Sequence, residues 1–258
     1  MNSRRCWRSS AVVLGGLMVL AMGVGAEEAA QPAAAQEMDI SKAKLLGVGA
    51  AGGIAGLKDK GAAHVTIAKE GSYGFTSGIS QEKGSFRLGI LMADFQAATQ
   101  AGDKDRSKDA ALALMAGLTA LDAPHALLQS TANLVSLVHK GNDLPAVGTT
   151  ARLLLLPHVK AFVENQGQLT YFHLGEWSET LSLMAAVGTS TGNEASNITA
   201  YASQAGSFAA TVGQAQSTAP RLLEVLKEIQ EVGSAKEPGP RDLQHLQSAV
   251  QALKTLLG

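Results

Sequence analysis

Apolar side chains recur with the period of an α-helix through most of the chain after residue 86. Leu88, Leu91, Met92 and Phe95 follow the i, i+3, i+4, i+7 spacing of one helical face, and Gly102 stands where that helix would end. A second helix is predicted through Ala111, Leu114, Leu118 and Leu121. Prolines tolerated in a first turn predict the starts of later helices, at Pro124, Pro145, Pro220 and Pro240. A further helix is predicted through Ile198, Tyr201, Ala205, Phe208 and Val212.

The run Leu153 to Leu156 is apolar on every side, which predicts a central, buried segment. Pro157 follows it directly. A proline inside a helix removes a hydrogen bond and clashes with the preceding turn, so we expect a kink there.

A repeat divides the helical part of the chain. Phe86-Arg-Leu-Gly89 returns as Phe172-His-Leu-Gly175, and Leu91, Phe95 and Gly102 correspond at the same offset to Trp177, Leu181 and Gly188. We therefore predict an all-α fold of two tandem units, residues 86–165 and 172–258, with about four helices each. They would form a bundle or a short helical array.

Three segments precede the helical units. Residues 1–26 have the basic start, short apolar core and small cleavage-site residues of a signal peptide, which predicts export to the periplasm and cleavage after Ala26. Association with the outer membrane is an open alternative. Residues 27–43 are predicted to be a flexible Ala/Gln/Pro tether, and residues 44–84 a glycine-rich lead-in with a candidate hairpin at 64–75.

Composition excludes several classes of function. The single cysteine, Cys6, lies in the predicted signal peptide, so disulfides, thiolate metal sites and a cysteine nucleophile are not expected in the mature chain. The formal net charge is −1 with both signs dispersed, and this predicts no nucleic-acid binding. The histidines show no zinc or di-iron spacing, and Glu176 and Glu179 are most simply interpreted as parts of solvated faces.

Two short motifs suggest chemistry, but their contexts do not support it. Gly47-x-Gly49-x-x-Gly52 has dinucleotide-binding spacing, yet no strand precedes it and no strand–helix alternation follows. Its glycines fit close helix packing or a flexible lead-in better. Gly188-Thr-Ser-Thr-Gly192 has the spacing of a hydrolase nucleophile elbow, but a helix precedes it, so we interpret it as a loop. We expect no enzymatic activity, no cofactor and no metal.

The remaining candidate site is apolar. Aromatic residues make up only 4% of the chain and gather near the two repeat starts. Met92, Phe95, Trp177 and Met184 are predicted to line an apolar cleft between the units, which would suit a lipid-like ligand. Tyr171 or His173 would fix a polar headgroup. The predicted ligand-binding residues are Met92, Phe95, Phe162, Tyr171, Phe172, His173, Trp177, Met184, Tyr201 and Phe208.

In overall plan, residues 86–258 resemble helical soluble components of bacterial lipid transport, including helical sterol-binding proteins. The resemblance lies in the helix plan and not in a motif such as Phe172-His-Leu-Gly175. It implies a periplasmic carrier of a sterol or similar lipid, with transport components of the inner or outer membrane as partners. The alternative is a helical-repeat scaffold for an envelope complex, because Leu88-Gly89 and Leu174-Gly175 echo a tetratricopeptide consensus.

Overall fold

The computed structural model describes Phe75 and residues 79–191, 195–214, 220–235 and 238–258, and every regular element in these ranges is helical. The all-α prediction is confirmed. The α-helices are α1 Gln81–Gln100, α2 Lys104–Ala120, α3 His125–His139, α4 Leu144–Thr150, α5 Leu156–Asn165, α6 Leu169–Thr191, α7 Ala195–Ala202, α8 Ala205–Gly213, α9 Pro220–Gly233 and α10 Pro240–Leu257. The predicted signal peptide, the tether and the candidate hairpin, apart from Phe75, lie outside the described residues.

Local sequence signals set most helix ends. The side chains of Ser80 and Asp103 accept hydrogen bonds from the third residue of α1 and α2 and so cap these helices. Gly102 follows the C-cap residue Ala101 of α1 and adopts a φ of +68°, a left-handed conformation that glycine takes without steric cost. The predicted start at Pro220 and the predicted start at Pro240 are both confirmed.

The predicted burial of the leucine run is wrong for two of its members. Leu153 and Leu154 are 62% and 67% exposed, while Leu155 is buried. Residues Ala151–Leu155 form a π-helical turn between α4 and α5, with the N–H of Leu156 donating to the carbonyl of Ala151. Such a turn accommodates Pro157, which has no N–H to donate and whose ring would crowd a regular preceding turn. The extra residue in the turn rotates two leucines outward.

Two boundaries also differ from the sequence prediction. Helix α6 continues through Gly188 to Thr191, so residues 188–191 are helical and the predicted loop at this motif is wrong. The helix predicted through Tyr201 and Phe208 is divided at Ser203-Gln204 into α7 and α8. Helix α1 begins at Gln81, inside the segment assigned to the lead-in.

Helices α1 and α6 cross at the two repeat glycines. A Cβ added at Gly89 would lie 2.0 Å from the carbonyl oxygen of Phe172, and a Cβ added at Gly175 would lie 2.0 Å from the carbonyl oxygen of Phe86. Only glycine allows the backbones this close approach. The contact is reciprocal, because each glycine faces the phenylalanine that begins the other copy of the repeat.

The phenylalanines at the crossing pack into opposite cores. The first core comprises apolar residues of α1 to α5, and Phe172 of α6 is seated in it. The second core comprises apolar residues of α6 to α10, and Phe86 and Ile90 of α1 are seated in it. Both phenylalanines are fully buried. The long helices α1 and α6 therefore form the centre of the fold and hold the two cores side by side.

Candidate functional site

A group of polar side chains is buried where α5, α6 and α7 meet. His173, Glu176 and Thr180 follow one another at helical spacing on α6, Tyr201 comes from α7 and Lys160 from α5. We call these five residues the polar cluster. The Nζ of Lys160 lies 3.7 Å from Oε2 of Glu176, and its side chain is the part of the cluster that reaches solvent, with 27% of it exposed.

Burial controls the protonation of the polar cluster. It raises the pKa of Glu176 to about 7, against the opposing attraction of the Lys160 ammonium. Burial, and then the charge of Lys160, lower the pKa of His173 to about 4, so its ring is neutral near neutral pH. Burial also raises the pKa of Tyr201, and the charge of Glu176 adds to this effect.

Three atoms of the polar cluster have no hydrogen-bond partner among the described residues. They are Nε2 of His173, Oε2 of Glu176 and the hydroxyl of Tyr201, which lies beside Thr180 without the geometry of a hydrogen bond. All three residues are more than nine-tenths buried. Buried polar atoms normally make hydrogen bonds, so three atoms without one in a single cluster require an explanation, even though Oε2 of Glu176 has an ion-pair partner in Lys160.

Aromatic rings enclose one side of the cluster. The ring of Tyr201 stacks on Trp177 at a centroid separation of 6.4 Å, and Phe208 tilts against Trp177 at 5.2 Å. The indole Nε1 of Trp177 donates a hydrogen bond of 3.0 Å to the carbonyl of Tyr201, which fixes the ring. The polar atoms thus lie at the edge of an apolar, aromatic wall.

A second buried polar group lies further along α6, around Glu179. The Nζ of Lys254 donates a hydrogen bond of 2.6 Å to Oε2 of the fully buried Glu179. Arg106 forms an ion pair with Asp94 and lies 3.9 Å from Oε1 of Glu179. Burial and the charge of Glu179 raise the pKa of Asp94 to about 6, against the attraction of Arg106 and Lys254. This ion network joins α1, α2, α6 and α10 and balances two acids with two bases.

The structure divides the predicted ligand-binding residues between the two cores. Met92, Phe95 and Phe172 lie in the first core, and Phe162 packs against it. The cleft predicted from Met92, Phe95, Trp177 and Met184 is therefore not formed, because Trp177 and Met184 lie in the second core. The second core contains four more of the predicted ligand-binding residues, Trp177, Met184, Tyr201 and Phe208. Tyr171 packs at the margin of this core. His173, the remaining member, is buried in the polar cluster.

The sequence interpretation missed the buried acids. Glu176 and Glu179 were assigned to solvated faces, but they are 4% and 0% exposed. A signal for this was present on the helical wheel. At about 100° per residue, Phe172 and Leu183 fall between the two glutamates, so that face of α6 could not point to water. Their basic partners come from other helices, which a local pattern does not show.

Other candidate sites find no support among the described residues. The glycine fingerprint at 47–52 lies outside them. Ser190 is in a helix and not on the strand-to-helix turn that a nucleophile elbow needs. No group of three His, Cys, Asp or Glu residues is arranged to hold a metal in the described ranges. Within the same ranges, none of the helices combines the length and apolarity needed to span a bilayer.

Phe75 and Ile79 of the lead-in pack against the first core. The ring of Phe75 occupies the space beside Gly117, where an added Cβ would lie 2.5 Å from its Cζ atom. The guanidinium of Arg87 lies 5.9 Å from the ring centroid. The end of the glycine-rich segment is therefore anchored to α1 and α2.

Comparison of the chain with known protein families, with curated proteins and with solved structures finds no match.

Proposed function

We propose that the protein is a non-enzymatic carrier of a hydrophobic, lipid-like molecule, such as a sterol, whose single polar group binds at the polar cluster. The observation that supports this proposal is the set of three buried atoms without a hydrogen-bond partner on His173, Glu176 and Tyr201, of which Oε2 of Glu176 has only the more distant Lys160 ammonium beside it. A ligand hydroxyl could donate to Glu176 and accept from Tyr201. The aromatic wall of Trp177 and Phe208 would contact the apolar part of the ligand.

The protonation states of the cluster favour a neutral polar group. His173 is neutral near neutral pH, and the pKa of Glu176 lies close to 7, so its carboxyl can either donate or accept a hydrogen bond there. A charged headgroup would lose its hydration on entering this buried cluster, and that loss has a large cost in free energy. An alcohol has a much smaller desolvation cost. These protonation states therefore favour a hydroxylated lipid over a fatty acid or an amine.

Export to the periplasm and partnership with membrane transport components belong to the same proposal. A lipid with little solubility in water needs an enclosed carrier to cross an aqueous compartment. The predicted signal peptide would place the protein in such a compartment.

The first test is native mass spectrometry and lipid extraction of the protein purified from its own host. A hydroxylated lipid recovered in near-stoichiometric amount supports the carrier. Recovery of no lipid, together with a stable protein partner, would favour the alternative of an interaction scaffold.

A matched pair of variants locates the binding site. Tyr201→Phe removes one buried hydroxyl, and Tyr171→Phe removes a comparable hydroxyl at the margin of the second core. Losing a hydrogen bond to a buried group costs about 1.5 kcal/mol, so Tyr201→Phe should weaken binding about tenfold. Tyr171→Phe should leave affinity within about twofold. Titrations with sterols, hopanoids and fatty acids would be followed by the fluorescence of Trp177, because the other tryptophan, Trp7, leaves with the predicted signal peptide. Equal effects of the two variants, or an unchanged spectrum with every lipid, would refute the assignment.

A further inference from the structure

Two buried carboxylates lie within reach of one arginine where α1, α2, α6 and α10 meet. Arg106, in the first turn of α2, donates a hydrogen bond of 2.6 Å from its Nε to Oδ1 of Asp94 on α1, and its Nη2 contacts the same oxygen. That Nη2 also lies 3.9 Å from Oε1 of Glu179 on α6, which is too far for a hydrogen bond. The guanidinium therefore holds one acid and needs to move by only about 1 Å to hydrogen-bond the second.

The second carboxylate lacks a hydrogen bond on the oxygen that faces Arg106. Oε2 of Glu179 accepts a hydrogen bond of 2.6 Å from Nζ of Lys254. Oε1 of Glu179 is buried and has no hydrogen-bond partner among the described residues. A buried acceptor without a hydrogen bond raises the free energy of the folded state, and a guanidinium is a strong donor to such an oxygen.

The charge of Asp94 decides which acid keeps the arginine. Helix α1 packs mainly against α2, α4, α6 and α10. The charged groups that face Asp94 from these helices are Arg106, Glu179 and Lys254, while α4 has no titratable side chain and Asp103 is engaged as the cap of α2. Burial, and then the charge of Glu179, raise the pKa of Asp94 to about 6, against the attraction of Arg106 and Lys254. The folded state therefore binds this proton more tightly than the unfolded state, so protonation of Asp94 does not itself oppose folding.

We propose that Arg106 exchanges partners, from Asp94 to Glu179, when Asp94 takes up a proton. A neutral carboxyl holds a guanidinium much less strongly than a carboxylate does. The Nη2 of Arg106 then donates to Oε1 of Glu179 and completes the hydrogen bonds of that buried carboxylate. Acid thus replaces a contact within residues 81–165 by a contact between α2 and α6, which belong to different halves of the helical body. This device is independent of the ligand proposed for the polar cluster.

The variant Asp94→Asn keeps the acid neutral at every pH and so makes the exchange measurable in solution. The coupling between Arg106 and Glu179 is obtained from Arg106→Met, Glu179→Gln and their double variant by urea unfolding at about pH 7.5. Expressed as a factor in the unfolding equilibrium constant, this coupling should be at least about fivefold larger in the Asp94→Asn background than in the unmodified one. The exposed pair Arg221–Glu224 is the matched control, and its coupling should be the same in both backgrounds. Equal coupling of Arg106 and Glu179 in the two backgrounds would overturn the proposal.

A pH titration of the unmodified protein does not depend on the stability of any variant. The Nε–Hε nuclear magnetic resonance signal of Arg106 should shift with a midpoint near pH 6, because Hε loses the carboxylate of Asp94 as acceptor. The signal of the exposed Arg221 should show no such midpoint. A crystal structure at about pH 5 should place Nη2 of Arg106 about 3 Å from Oε1 of Glu179. A signal of Arg106 that does not shift, or an Arg106 still bound to Asp94 at that pH, contradicts the exchange, as does a direct hydrogen bond between Asp94 and Glu179.

Discussion

Replacing Gly89 with alanine should force α1 and α6 apart at the point where they cross. The new Cβ would lie 2.0 Å from the carbonyl oxygen of Phe172 and 2.8 Å from the amide nitrogen of Glu176. Both are backbone atoms, which cannot rotate away as a side chain can. To reach ordinary contact distance, the two backbones would have to separate by about 1 Å or more.

The free-energy cost of this overpacking is partly offset by the higher helix propensity of alanine. Overpacking a core typically costs 1–3 kcal/mol, and a crossing of two backbones belongs at the upper end of that range. Alanine recovers up to about 1 kcal/mol of helix propensity relative to glycine. We therefore expect Gly89→Ala to lower the free energy of unfolding by about 2 kcal/mol. Urea unfolding followed by far-ultraviolet circular dichroism measures this quantity.

Two further variants make the measurement decisive. Gly213 lies in the exposed last turn of α8, and a Cβ added there would have no atom closer than 3.6 Å. Gly213→Ala should therefore raise the free energy of unfolding by a few tenths to about 1 kcal/mol. Gly175→Ala should repeat the loss seen at Gly89, because the crossing is reciprocal. The double variant should lose less than the sum, since one separation of the helices relieves both clashes. A Gly89→Ala protein as stable as Gly213→Ala would refute the close crossing.

Two other expectations concern the buried charges. Lys254→Met leaves the buried carboxylate of Glu179 without its ammonium partner, so the free energy of unfolding should fall by about 3 kcal/mol or more, whereas Lys227→Met on an exposed face should stay within about 0.5 kcal/mol. A loss below about 1 kcal/mol in urea unfolding would argue against a desolvated Glu179. Glu176→Gln tests the raised pKa of Glu176. The folded state keeps this proton up to about pH 7 while the unfolded state releases it near its ordinary value, so stability falls as pH rises between the two. The glutamine variant lacks this loss and should gain about 3 kcal/mol on the unmodified protein between pH 4.5 and 8. A difference independent of pH would contradict the assignment.

The sequence was informative where the determinants are local. Glycine and proline at helix ends act within one turn, so Gly102, Pro220 and Pro240 marked boundaries that the structure confirms. The repeated Phe-x-Leu-Gly segment was visible as well. Its role was not, because a glycine that permits a helix crossing looks the same in sequence as one that ends a helix.

The sequence was misleading where long-range packing decides. Leu153 and Leu154 have the composition of a core, yet a π turn beside Pro157 places them outside. Glu176 and Glu179 have the composition of a surface, yet Lys160 and Lys254 from other helices accompany them in the interior. The polar cluster could be found only once α5, α6 and α7 were placed together. The predicted cleft failed for the same reason, since Met92 and Trp177 occupy different cores.

The exchange of Phe86 and Phe172 between the two cores has a consequence for how the protein unfolds. Removing either half would leave a phenylalanine-sized hole in the half that stays folded, and such holes cost about 3–5 kcal/mol. Neither half can therefore melt alone without greatly weakening the other. The described helices should lose their structure in a single cooperative transition, and amides on α1 and α6 should exchange with solvent at one common, slowest rate.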